Sequence, residues 1–172
     1  MSLFLIVALP FLGALLPGLM NSAGRQACAG VTFMVTLVAL VGLLTHLPAV
    51  LAGELVTARV DWIPQLGLNL TLMFDSLGFF FACLILGIGL LIIAYARSYL
   101  SRDDHMGEFF TYLLLFQGAM VGIVLSDNVL ILLIFWELTS LSSFLLIGYW
   151  KHLPEGRQGA RMALTVTGMG GL

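Results

Sequence analysis

Glu137 is the residue most able to do chemistry in this chain. It is the only charged side chain between Asn128 and Trp150, an otherwise apolar stretch long enough to cross a bilayer. It falls about nine residues into that stretch, near the bilayer centre, where a charge costs about 2.5–3.5 kcal/mol on insertion scales. Acids at this depth face a protein interior or a water-filled cavity and mark proton or ion paths. The other reading is a neutral, hydrogen-bonded acid that holds helices together. The proton or ion path is the expectation, with the cationic partner supplied from elsewhere, because no Lys or Arg in the apolar stretches lies at a matching depth. Ser140 follows on the same helical face and is a candidate neighbour on that path, with Leu133, Leu141 and Phe144 flanking the stripe. Thr139, Ser142 and Ser143 point mostly the other way and read as packing positions.

The remaining polar residues have plainer expectations. Asp75 precedes an apolar run at Ser76 and fits a helix cap, and capping or a solvated turn also suits Asp127. Arg97, Arg102, Asp103, Asp104 and His105 form a turn at a membrane surface, and His46 beside Pro48 reads as interfacial. Cys28 and Cys83 lack CxxC or His spacing and read as packing residues, neither disulfide nor metal ligands. Gly118 and Gly122 form a GxxxG surface on which another helix can approach closely. Gly168-Met169-Gly170-Gly171 lacks the preceding strand of a nucleotide loop. No cofactor or metal is expected.

These residues need spanning helices to position them, and the composition demands the same. Of 172 residues, 60% are hydrophobic and 9% charged, against about 25% charged in soluble domains. Seven basic residues make no nucleic-acid-binding stripe. The charge-free blocks predict an all-α polytopic membrane protein with five spanning helices, near 2–21, 27–51, 76–98, 108–126 and 128–150. A β-barrel is excluded because the blocks are continuously apolar. The first block is a permanent helix that Pro10 and Pro17 kink or end, without the basic start of a signal peptide. Arg25, Arg97, Arg102, Lys151, Arg157 and Arg161 fall on one side and Arg59 alone on the other, so the N-terminus is expected outside the cell.

Between the second and third helices the period changes. Val56, Ala58, Val60 and Trp62 alternate with polar residues, as do Leu68, Leu70 and Leu72 after Pro64-Gln65-Leu66-Gly67. That predicts an external β-hairpin whose apolar face lies on helices or on a partner subunit. After Arg161, Met162–Leu172 reaches about 16 Å, half a membrane. The expectation is an N-terminal piece of a longer protein, cut inside a sixth helix. The chain then divides into a helix pair (1–52), the hairpin loop (53–75), the third helix with its turn (76–106) and the start of a transport repeat (107–172).

The stretch Ser126-Asp127-Asn128-Val129-Leu130, followed by Phe135-Trp136-Glu137-Leu138-Thr139-Ser140-Leu141-Ser142-Ser143-Phe144 and running on to Trp150, closely resembles the A subunit of Mrp-type multisubunit sodium/proton antiporters. Phe74-Asp75-Ser76-Leu77-Gly78 and Ala160–Gly168 resemble the same protein, and the likeness runs over the whole chain. The wider superfamily includes the proton-pumping L subunit of NADH:quinone oxidoreductase. That subunit typically has Gly-Val-Gly after Trp-Glu, where this chain has Leu138-Thr139-Ser140. It also tends to carry Arg and Asp near the positions of Gly168 and Gly171.

The resemblance implies that the glutamate matching Glu137 pairs with a lysine two helices further on. The charge state of that pair gates proton movement along a central polar axis. It also implies partners: other antiporter subunits, the lipid bilayer of a bacterial cell membrane, sodium ions and protons. The alternatives are a proton-translocating subunit of NADH:quinone oxidoreductase and a non-transporting assembly subunit.

Overall fold

The computed structural model describes residues 1–20, 24–63, 65, 68–101, 104–150 and 153–171. The expected turn residues Pro64, Leu66 and Gly67, the charged Arg102, Asp103 and Lys151, and Leu172 lie outside the described residues.

Helix α1 (Leu3–Gly13) starts where the Ser2 side chain accepts from the Leu5 N–H. It contains Pro10 and stops at Ala14, after which α2 (Leu15–Leu19) carries Pro17. The first block is thus a broken helix over 3–19, shorter than the four long spans that follow. The second block breaks too. Helix α3 (Arg25–Leu44) ends at Thr45, and α4 (Leu47–Leu51) restarts with Pro48 near its beginning, so the continuous helix expected to 51 is two pieces. Proline is tolerated in a first turn but not in a helix interior, which is why the break falls just before it.

Strands β1 (Val56–Ile63) and β2 (Leu68–Phe74) form the expected antiparallel hairpin, pairing Val56 with Phe74, Ala58 with Leu72 and Val60 with Leu70. One face therefore collects Val56, Ala58, Leu70, Leu72 and Phe74, which pack into the main core beside Leu3, Ile6, Leu43 and Phe79. Leu72 and Phe74 are each only 1% exposed. A lone two-stranded hairpin is marginal in water, and this one is held by the helices beneath it. Toward the turn, Val60 and Trp62 stay exposed.

Helix α5 (Ser76–Tyr99) is capped by Asp75, whose carboxylate accepts from the Gly78 N–H at 2.8 Å. Helix α6 (Met106–Leu125) leads into α7 (Val129–Ile147), whose cap is Asn128, accepting from Leu130 N–H at 2.9 Å. Asp127 is not the cap; its own N–H donates to the Thr71 carbonyl of β2 at 3.0 Å. Helix α7 ends at Gly148 rather than running to Trp150. Helix α8 (Pro154–Gly171) begins earlier than the apolar run at Met162, with Pro154 first and Glu155 in its opening turn, and it carries Arg157 and Arg161 on helix rather than loop. It packs against α7, with Ala160 1% exposed.

Four helices, α3, α5, α6 and α7, are long and apolar enough to cross a membrane. The contacts define two ends. At one, His46 Nε2 lies 2.7 Å from the Met1 carbonyl and its ring sits edge-on to Phe74 of the hairpin. At the other, Arg25 donates to the carbonyls of Leu100 and Ser101, and the Trp150 indole donates to Asp104.

Candidate functional site

Helix α7 presents two different faces. Ile131, Phe135, Ser140 and Ser142 are buried toward the bundle. Leu133, Ile134, Trp136, Glu137 and Leu141 are exposed, while α7 packs against both α6 and α8. Glu137 is the ninth of nineteen helical residues, at the middle of α7, and it is exposed. Ser140 stands three residues further along the same helix. Ser140 is 4% exposed, and its hydroxyl donates to the Trp136 carbonyl one turn back at 3.3 Å. Thr139 and Ser142 do likewise, donating to Trp136 and Leu138 at 2.6 and 2.7 Å. Each hydroxyl is thus satisfied within α7 itself.

A second mid-helix polar group escapes a reading of charges alone. Gln117, twelfth in α6, is 2% exposed, and its Oε1 accepts from the Thr36 hydroxyl of α3 at 3.2 Å. Its Nε2 has no hydrogen-bond partner among the described residues. A Cβ on Gly89 of α5 would lie 1.4 Å from that nitrogen, so the amide occupies the space a side chain would fill. The sequence does carry a signal: Gln117 is the only amide in the uncharged block 109–126.

The GxxxG pair receives aromatic rings rather than a bare helix backbone. A Cβ on Gly118 would meet Phe11 of the first helix at 2.9 Å, and one on Gly122 would meet Phe135 of α7 at 2.3 Å. The two rings stack with centroids 6.3 Å apart. Helix α6 is therefore the central element, and Gly122 sets how closely α7 seats against it.

At the arginine-bearing end, Asp104 accepts from the Ser101 N–H at 2.8 Å and from Trp150 at 3.3 Å. Slight desolvation pushes its carboxyl up, but these hydrogen bonds and the Arg25 charge outweigh it and hold the group below the usual carboxylate range. What read as an ordinary turn is a clasp joining the α5–α6 connection to the end of α7. Cys28 is buried and donates to the Met20 and Pro17 carbonyls at 3.3 and 3.6 Å, while Cys83 is half-buried.

Comparison with known proteins finds likenesses to subunits of membrane complexes. Residues 62–110 match the family described as NADH-Ubiquinone oxidoreductase (complex I), chain 5 N-terminus. The particular likeness is to Mrp-type A subunits, and it runs along the whole chain. The chain is 45% identical over 172 residues to a probable K(+)/H(+) antiporter A/B subunit of Rhizobium meliloti, covering 100% of this chain and 17% of that protein. It is 43% identical to the Na(+)/H(+) antiporter A1 subunit of Staphylococcus aureus, covering 99% of this chain and 21% of the relative. The chain thus spans about a fifth of the length of these curated relatives. Among solved structures, the Mrp complex from Dietzia sp. DQ12-45-1b superposes with a TM-score of 0.82 at 35% identity, over all of this chain and 18% of the matched one. An archaeal membrane-bound sulfane sulfur reductase shares the fold, with a TM-score of 0.74 at 18% identity over 91% of this chain and 23% of that one.

Proposed function

We propose that this chain is part of the A subunit of a multisubunit monovalent cation/proton antiporter, with Glu137 on its proton or ion path and residues 107–172 opening the transport repeat. The whole-chain identity to antiporter subunits supports the class. The observation that carries the role is the position of Glu137: at the middle of α7 and exposed in this chain. A carboxylate cannot remain charged against hydrocarbon, so the rest of the subunit supplies a cation there. Low dielectric then couples the ions. A cation arriving near the paired charges favours release of a proton from them.

The test is Glu137→Gln in the complete complex, assayed for sodium- and potassium-driven proton flux in vesicles. Flux falls at least tenfold while assembly is normal. Unchanged flux with normal assembly removes Glu137 from the path, and loss of assembly assigns it to helix packing. The match of residues 62–110 to a complex I family favours one second reading, a proton-translocating subunit of a redox complex. In that case proton movement follows NADH oxidation and ignores an imposed sodium or potassium gradient.

A further inference from the structure

Helices α3 and α5 run side by side and leave a furrow between them on the outer surface of the bundle. Its apolar part, about 470 Å³, is lined by Ala29, Gly30, Phe33, Met34, Ile93 and Ala94, and it ends at Arg97 and Ser98. Those two residues also line a second, adjoining cavity of about 590 Å³ with Arg25, Gln26 and Leu100. The furrow is open because Gly30 and Ala94 carry almost no side chain; a Cβ on Gly30 would meet nothing within 4 Å. From Arg25 to Met34 it runs nine residues along α3, about 13 Å. That is close to the roughly 15 Å of hydrocarbon in one leaflet, half of a 30 Å core.

The polar end is built for an anion. Among the described residues, no acid lines either cavity. Arg25 is half-buried and fixed by its bonds to the Leu100 and Ser101 carbonyls. Asp104 offsets part of its charge. Arg97 forms no ion pair among the described residues and is exposed at the mouth. A planar guanidinium there can grip a phosphate with two parallel N–H bonds. The level is also marked as the membrane interface. Tyr95 and Tyr99 of α5 are 64% and 60% exposed and stack on each other at 5.2 Å, as aromatic residues do at headgroup depth.

We infer that this furrow is a binding site for one anionic phospholipid, its phosphate held by Arg97 and one acyl chain lying along Gly30, Met34 and Ala94. A tail needs an unbranched apolar channel, and a headgroup needs uncompensated positive charge at its end. The furrow supplies both. The inference rests on the membrane-spanning helices alone and is independent of the ion that is carried.

The experiment uses the complete complex with Met34 replaced by benzoylphenylalanine, in vesicles of equal parts phosphatidylglycerol and phosphatidylcholine. After irradiation, the mass of the labelled polypeptide identifies what is attached. Phosphatidylglycerol adducts exceed phosphatidylcholine adducts about fivefold, the preference one interfacial arginine gives. Arg97→Gln brings the two to parity while adducts persist. Gly30→Leu, which fills the furrow without touching a charge, removes most adducts of either lipid. Equal adducts in the parent complex, or attachment to a neighbouring protein subunit instead of lipid, overturns the site.

Discussion

At the scale of single residues, the interior is organised by glycines that hold space for something larger. Gly89 does so for Gln117, and Gly122 does so for Phe135. Gly89→Ala forces the amide away from Thr36 and strains the α3–α5–α6 contact, an overpacking cost of about 1–3 kcal/mol. The expected result is a lower unfolding temperature of the purified complex. The double variant Gly89→Ala with Gln117→Ala recovers much of the loss, because the two positions share one volume. A purely additive double variant would show that the amide can move without consequence. Glu137 is legible in the sequence from a simple rule, a charge in an apolar run. Gln117 leaves only the fainter signal of a lone amide, because it breaks no charge-free block. Ser140 groups with Glu137 in the sequence, since residues three apart share a face on an isolated helix. In the fold Ser140 is buried and Glu137 is exposed, a difference in neighbours that the sequence does not reveal.

Among the elements, the hairpin and the long helices are legible, and the helix ends are not. Period-2 alternation predicts both strands and their apolar face, because side-chain alternation follows from extended geometry alone. The prolines foretell the break in the first block, whereas the one at Thr45 escapes notice because the apolar run resumes at Leu47. The start of α8 is placed too late for the opposite reason: charge at Arg157 and Arg161 reads as loop, although Pro154 and Glu155 are good first-turn residues. The hairpin's attachment gives a prediction. Phe74→Ala removes a ring that is 1% exposed and touches His46 and Phe79, at a cost of about 3–5 kcal/mol. It exposes the hairpin to protease. Trp62→Ala, at a residue 61% exposed, stays within about 0.5 kcal/mol of the parent. Equal protease resistance of the two variants would mean the hairpin does not depend on its buried face.

For the whole molecule, the two ends differ in charge as well as in content. Met1, His46 and the hairpin share one end, where Arg59 pairs with Asp61 at 2.8 Å. Arg25 and Arg97 share the other. On the positive-inside rule the expected orientation has the hairpin outward and the Asp104–Trp150 clasp toward the cytoplasm, and labelling tests it. Trp62→Cys in the complete complex reacts with a membrane-impermeant maleimide on intact cells, and Glu155→Cys reacts only after permeabilisation. The reverse pattern would invert the assignment. Cys28 and Cys83 give little background, being buried and half-buried in spanning helices.

The bond from the Asp127 N–H to the Thr71 carbonyl makes the hairpin a mechanical part of α7. Strand β2 is stitched to the turn from which α7 springs, both there and through the bridge between Leu72 and Ser126. Glu137 lies ten residues along that helix, about 15 Å from the stitch. A load applied to the strand is therefore transmitted to the root of α7 as through a lever. Whatever grips the hairpin at the surface thereby acts on the root of the helix that carries Glu137.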